Sequence, residues 1–112
     1  MPGQDDEGPG LSYELVQPKP GMQDDQEVPF ARAKGKKDST TLTVIFWSGV
    51  EPCNVLDRVE VEETPKDVTI TLYEGSDPQT GDAACIEIAV KKAVEVELDE
   101  PLGDRKVIDG AE

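Results

Sequence analysis

The chain contains two cysteines, Cys53 and Cys85, and each begins a segment rich in β-branched residues. Two half-cystines in a small acidic domain suggest one structural disulfide bond and an oxidising compartment. A redox-active or metal-binding pair is the alternative, although the spacing is far from Cys-x-x-Cys and the chain has no histidine. We therefore expect a covalent bridge that joins two β segments.

Short segments in which apolar and polar residues alternate predict an all-β protein. Residues 41–47 are β-branched and aromatic, and Phe46 and Trp47 are expected to pack in the core. Residues 55–62 and 68–73 flank a turn and predict a β-hairpin. In the first of these strands, Val55 and Val59 are expected to share one face, and Leu56 the opposite face with the charged residues.

The second half of the chain predicts one long strand with an interruption. From Cys85 to Leu98 the apolar residues keep one parity, but Lys91-Lys92-Ala93 interrupts them and predicts a bend, a bulge or a change of sheet. A helix over residues 83–93 is the alternative. A short last strand is expected at residues 105–108. Together the strands and turns indicate an immunoglobulin-like antiparallel β-sandwich with one disulfide.

Charge and composition divide the chain. Residues 1–27 carry seven acidic groups against one basic group and are rich in Gly and Pro. They are expected to form a mostly disordered tail with a short strand at 11–16, and residues 28–112 the sandwich domain. The net charge of −14 argues against nucleic acid and against a direct membrane contact, and favours a monomer. No cofactor or metal is expected.

Two features could bind a ligand. The loop at residues 74–82 carries Glu74, Asp77 and Asp82, and calcium takes six to eight oxygen ligands from loops of this kind. A plain hairpin loop is the alternative, because the spacing matches no calcium motif. Tyr73 lies beside this loop and is a candidate contact residue, or else a cross-strand packing residue.

The acidic residues could serve a partner or a reaction. Two rows, one of Glu60 and Glu62 and the other of Glu95, Glu97 and Asp99, form either solvated faces or a docking surface for a cationic partner. If the rows belong to neighbouring strands, like charges repel, so either the strands are not partners or threonines separate them. Paired carboxylates could hydrolyse a substrate, but no pair stands out among 25 acidic residues. We do not expect an enzyme.

Three runs of residues resemble a known family. They are Pro-Cys-Asn-Val-Leu-Asp-Arg-Val from Pro52, Ala-Cys-Ile-Glu-Ile from Ala84 and Pro-Leu-Gly-Asp-Arg-Lys-Val-Ile-Asp-Gly from Pro101. The family comprises small exported or lipid-anchored domains of high-G+C Gram-positive bacteria that have no assigned activity. The resemblance implies a β-sandwich, a Cys53–Cys85 bridge and an extracytoplasmic protein tethered to the cell membrane. The acidic N-terminal stretch then resembles a spacer from an anchor, and an export signal is expected in the precursor.

The last of these runs contains Asp104 and Arg105. The Arg105 guanidinium could bind Asp57 or Asp109 across the sheet, and we expect a structural clamp in preference to a ligand contact. The sequence as a whole predicts a non-catalytic extracytoplasmic binding module for an unidentified protein or cell-envelope ligand. A calcium-binding or other cation-binding surface domain and a small carboxylate-dependent hydrolase are the alternatives.

Overall fold

The structure is a computed structural model that describes residues 13–51, 53–78 and 88–111. These residues form eight β-strands and no helix, and the strands make two sheets. In chain order the strands are β1 (Glu14–Leu15), β2 (Gln23–Val28), β3 (Arg32–Lys34), β4 (Thr41–Ser48), β5 (Val55–Glu63), β6 (Asp67–Ser76), β7 (Val90–Glu97) and β8 (Lys106–Asp109). The prediction of an all-β protein with two layers is confirmed at this level.

Sheet A has the strand order β1-β7-β4-β3 and is built on the antiparallel pair of β4 and β7. Their register runs from Thr41 opposite Glu97 to Ser48 opposite Val90 without a shift. The interruption expected at residues 91–93 is therefore not found, and the helical alternative is wrong from Val90 onward. Residues 83–87, which the helix also included, lie outside the described residues.

Lys92 accounts for the apparent interruption in the apolar pattern of β7. It is opposite Phe46 on the core side of β7 and is almost fully buried. Its ammonium group donates a hydrogen bond to the carbonyl oxygen of Asn54 at 3.0 Å. Asn54 lies just before β5, a strand of the other sheet. A buried charge with a carbonyl partner therefore takes an inward position that the sequence pattern reserves for apolar residues.

Sheet B is centred on β6. Strand β5 pairs antiparallel with one edge of β6, and the other edge is shared by β2, which is antiparallel, and β8, which is parallel. The predicted hairpin is confirmed, with pairing from Val55 opposite Gly75 to Glu63 opposite Val68. Thr64 closes the turn, because its N–H donates to the carbonyl of Asp67 at 2.8 Å and its hydroxyl accepts the Asp67 N–H at 2.9 Å.

The core lies between the two sheets and is built mainly from alternate residues of β4, β6 and β7. Its buried members are Leu42, Val44, Phe46, Leu56, Val68, Ile70, Leu72, Val94, Val96, Leu98 and Leu102. Full burial of one such large apolar side chain contributes about 1.5–3 kcal/mol relative to exposure. The alternation seen in the sequence therefore identifies the inner face of these three strands.

Strand β5 departs from simple alternation at Asp57. The register shifts between Leu56 and Arg58, so Asp57 is an additional residue that has no partner in β6. Such a β-bulge reverses the faces of the residues on either side of it. Leu56 therefore belongs to the core, Val59 packs against the core after the bulge, and Val55 is buried away from it. The expected face of Leu56 was wrong, because alternation does not reveal an inserted residue.

The described part of the N-terminal segment packs on the sandwich. Strand β1 pairs in parallel with β7, within the short strand expected at residues 11–16. Strand β2 includes residue 27 and Val28, so the expected division between a disordered tail and the domain falls inside a strand. The sequence of β2 is Gln-Asp-Asp-Gln-Glu-Val, and its pairing with β6 depends on backbone hydrogen bonds that composition does not predict. Residues 1–12 lie outside the described residues.

Residues 16–23 carry the chain from sheet A to sheet B across the end of β6. The N–H of Lys19 donates to the carbonyl of Leu56 at 2.9 Å, and the N–H groups of Gly21 and Met22 donate to Asp57 Oδ1 at 3.0 and 3.4 Å. Gly21 has a φ of +96°, which favours glycine at this turn. A Cβ on Gly75 would lie 2.5 Å from the carbonyl oxygen of Gln23, so glycine is required where the chain crosses.

Asp57 is 5 % exposed and also forms an ion pair with Arg58 at 3.2 Å. The pKa of Asp57 is held below its ordinary value. A hydrogen bond with the Asp25 side chain contributes most, and the N–H groups of Met22 and Gly21 and the Arg58 charge add to it, against the opposing effect of burial. The bulge residue therefore anchors the crossing segment to β5.

We expect Asp57→Ala to lower the free energy of unfolding at pH 7 by about 1–3 kcal/mol, because two N–H groups lose their acceptor. A lowered folded-state pKa gives stability that is present above the unfolded pKa of about 3.9 and is lost as pH falls through the folded value. The difference between wild type and variant should therefore shrink below about pH 4. Urea unfolding at several pH values measures it. Asp99→Ala, which removes an exposed carboxylate, is the charge-matched control, and equal losses in the two variants would contradict the anchor.

Candidate functional site

Trp47 is the single tryptophan of the chain and is 54 % exposed. It is near the end of β4, opposite Lys91 of β7. Because Phe46 faces the core, the alternation of the strand places Trp47 on the outer face of sheet A. The expectation that Trp47 packs in the core is therefore wrong, and a large aromatic side chain is presented to solvent on a regular strand.

Trp47 belongs to a set of four neighbouring apolar residues on the outer face of sheet A, the Trp47 strip, which consists of Leu15, Ala93, Ile45 and Trp47. Ala93 is the partner of Leu15 in the β1–β7 pair and of Ile45 in the β4–β7 pair. Ile45 and Ala93 are completely buried, whereas Leu15 is 60 % exposed. The strip therefore has two buried residues at its centre, and the exposed side chains of Leu15 and Trp47 flank them.

Charged and polar side chains border the Trp47 strip. Arg32 of β3 is opposite Ile45, Lys91 is opposite Trp47, and Glu95 is opposite Thr43 one row further along the sheet. An apolar centre with a polar rim is the usual organisation of a protein-binding surface. Because the side chains stand on paired strands, their positions are fixed before a partner arrives, which lowers the entropic cost of binding.

The residues of the expected cation site do not converge in the part of the chain that is described. Glu74 is within β6, and its carboxylate accepts a hydrogen bond from the Ser48 hydroxyl. Asp77 follows the strand, and Asp82 lies outside the described residues. Among described residues there is no group of three or more acidic, histidine or cysteine side chains that could hold a metal ion.

Tyr73 packs across the outer face of sheet B. The guanidinium of Arg58 stacks on its ring at 3.9 Å from the ring centre, and its hydroxyl lies 3.4 Å from carboxylate oxygens of both Glu27 and Glu60. Burial and then the charges of Glu60 and Glu27 raise the pKa of Tyr73. Of the two readings of Tyr73, these contacts favour cross-strand packing.

The two acidic rows lie in different sheets. Glu60 and Glu62 project from β5 next to Thr71 and Thr69 of β6, and Glu95 and Glu97 belong to β7 in sheet A. The strands are therefore not partners, and the repulsion considered for them does not arise. Threonines also bind part of the second row, since the hydroxyls of Thr40 and Thr41 donate to the carboxylate of Glu97 at 2.7 and 3.0 Å.

Arg105 clamps the turn between β7 and β8, but with partners other than those expected. Its guanidinium binds Glu63 Oε1 at 3.1 Å and the carbonyls of Pro101 at 2.8 Å and Glu100 at 3.1 Å. Both charged side chains are largely buried. The N–H of Asp99 contributes most to the lowered pKa of Glu63, and Arg105 adds to it against burial. Neither Asp57 nor Asp109 contacts Arg105.

The other three residues of the expected clamp make separate contacts. Asp57 holds the crossing segment, as described above. Asp109 Oδ2 accepts the N–H of Phe30 at 2.9 Å, and its Oδ1 accepts the N–H of Ala111, so it joins β8 to the connection between β2 and β3. Asp104 pairs with Lys37 at 2.8 Å on the exposed surface. Single acidic residues therefore fix several segments instead of forming one cluster.

Cys53 precedes β5 and is not a free thiol. Its expected partner, Cys85, lies outside the described residues, so the Cys53–Cys85 bridge stays a prediction. Within the described residues, no helix combines the length and apolar character needed to span a membrane.

We expect Arg105→Lys to lower the melting temperature by several degrees, since about 1 kcal/mol corresponds to 4–8 °C in a domain of this size. Lysine keeps the charge but cannot reach the carboxylate and the carbonyls with one planar group. Differential scanning calorimetry measures the change. Lys37→Ala removes an exposed ion pair and should leave the midpoint unchanged. A larger loss for Lys37→Ala than for Arg105→Lys would contradict the clamp.

Comparison with known proteins adds no further guide to the site: no family model, no curated protein and no solved structure matches the chain.

Proposed function

We propose that the protein is a non-catalytic binding module that works outside the cytoplasm. Its fold in this proposal is an immunoglobulin-like sandwich with a Cys53–Cys85 bridge, tethered to the cell membrane by an anchor ahead of the N-terminal segment. The observation that carries the proposal is the Trp47 strip, in which Trp47 and Leu15 expose large apolar side chains on the outer face of sheet A.

The composition of the Trp47 strip favours binding. Tryptophan contributes the largest share of binding energy in many protein interfaces, because its burial removes a large apolar area from water. Trp47 and Leu15 are each more than half exposed, and Ile45 and Ala93 between them are already buried. A partner that covers them gains the burial of two large side chains without distorting the sheet.

The remaining residues favour binding over the two alternatives. Glu74 is engaged with Ser48, which leaves fewer free oxygen ligands for calcium. Glu27 and Glu60 each approach the Tyr73 hydroxyl at 3.4 Å, so the phenol group lies between the two carboxylates. A glycosidase needs space for a substrate between its two carboxylates, and here Tyr73 occupies that space.

The test uses Trp47 as its own reporter, because the chain has no second tryptophan. We expect its emission to shift to shorter wavelength and to become protected from acrylamide when isolated cell-envelope fragments are added. Trp47→Ser should lower the amount of protein that sediments with the fragments by about tenfold or more, which corresponds to loss of a dominant contact. Its melting temperature should remain close to that of the wild type.

Ile108→Ser is the matched control, since Ile108 is also an exposed apolar residue but lies in β8 of the opposite sheet. It should sediment as the wild type does. Equal sedimentation of Trp47→Ser and wild type would contradict the proposal, as would binding that leaves the Trp47 emission unchanged.

A further inference from the structure

Strand β1 covers only a small part of the outer edge of β7. Pairing includes Glu14 with Lys92 and Leu15 with Ala93, and the N–H of Val16 then donates to the carbonyl of Ala93 at 2.8 Å. In a parallel ladder the next donor on this strand is two residues further along, at position 18. That residue is Pro18, which has no N–H. The pairing already ends at Leu15 opposite Ala93, and no described bond joins the N–H of Glu95 to the carbonyl of Val16.

The end of β1 leaves the second half of β7 with an open edge. The carbonyl of Ala93 points towards β1, and the backbone groups of a strand alternate between its two neighbours. The N–H and C=O groups of Glu95 and Glu97 therefore also point away from β4. In the part of the chain that is described, no strand pairs with β7 on this side beyond Ala93.

A depression beside this edge can receive side chains. It has a volume of about 330 Å³ and is lined by Leu15, Val16, Gln17, Pro18, Val94 and Glu95. Residues of an added strand that are opposite Val94 and Val96 would point towards the core side. Those opposite Glu95 and Glu97 would share the outer face with the two carboxylates. The edge therefore fits an extended segment in which apolar and cationic residues alternate.

Charge selects among the extended segments that could pair with this edge. The chain carries a net charge of −14, so a basic segment is attracted at long range, and an acidic one is repelled. A second copy of the chain is repelled for the same reason. Glu95 adds a local carboxylate on the outer face, next to the row that contains the Trp47 strip.

We propose that the open edge of β7 binds an extended basic segment of a partner protein, which pairs with Glu95 and Glu97 and extends sheet A along the line of β1. Main-chain hydrogen bonds supply affinity, and the alternation of apolar and cationic side chains supplies specificity. This inference rests on the proposed binding function and names the chemistry of its partner.

The probe is a blocked peptide of about seven residues in which lysine and valine alternate. We expect it to bind the full chain in a fluorescence anisotropy titration, with affinity that falls as salt is added. A peptide with glutamate in place of lysine should not bind. Amide hydrogen exchange at Glu95 and Glu97 should slow when the lysine peptide is bound, while exchange along β5 stays unchanged.

Two substitutions of Glu95 separate the contribution of its backbone N–H to peptide binding from the contribution of its carboxylate charge. Glu95→Pro removes an N–H that the β4–β7 ladder does not use, and it should lower the affinity for the peptide by about tenfold or more. Glu95→Gln keeps the N–H and should weaken it only about two- to fivefold, with a smaller salt dependence. If Glu95→Pro does not fold, the exchange measurement on the wild type decides the question.

Several results would overturn the inference. They are unchanged exchange at Glu95 and Glu97, protection that appears on β5 instead, equal affinity for the glutamate peptide, and protection that grows with protein concentration in the absence of peptide, which indicates a second copy. Loss of envelope binding in Trp47→Ser together with no peptide binding would reject the open edge and keep the binding function. Peptide binding together with unchanged envelope binding in Trp47→Ser would reject the Trp47 strip and keep the open edge.

Discussion

The carboxylate of Asp57 connects the N-terminal segment to the sandwich. It can do so because a β-bulge places an additional residue in β5, and this residue accepts the N–H groups of Gly21 and Met22 as the chain crosses from one sheet to the other. Without this anchor, β2 would join β6 only through its own ladder. The position of β2 and the length of β1 both depend on how the crossing segment is held. Because β1 is short, the edge of β7 beyond Ala93 is open.

The sequence predicts the centre of the sandwich well. Alternation in β4, β6 and β7 identifies the inner residues, because a strand with one buried face must repeat every two residues. It does not predict the bulge at Asp57, since an inserted residue leaves no mark in composition. It also does not predict β2, whose six residues include a single apolar one, Val28. A strand of that kind is stabilised by its neighbours, and single-sequence patterns do not contain that information.

The candidate site was harder to predict than the fold, for a related reason. Charged residues such as Arg105 and Asp109 drew attention in the sequence, yet on closely spaced strands and turns each finds a nearby backbone or side-chain partner. The exposure of Trp47 was not predicted. Alternation shows that the two faces of a strand differ, but it does not show whether the outer face is covered. The exposure of Trp47 could be learned only from the structure, in which β4 is a central strand and its outer row contains both the buried Ile45 and the exposed Trp47.

The edges of β5 and β7 differ in a way that bears on function. Strand β5 carries Arg58, Glu60 and Glu62 on one face, and part of its edge is occupied, since Leu56 accepts a bond from Lys19. Charges of this kind are a common protection of edge strands against unwanted pairing. The edge of β7 next to Val94 has a depression instead, lined by both apolar and polar residues, and its pairing with β1 ends at Ala93. An edge left open beyond Ala93 and close to the exposed side chains of Leu15 and Trp47 is better suited to a chosen partner than to indiscriminate pairing, because the surrounding negative charge rejects acidic chains and further copies of the same chain.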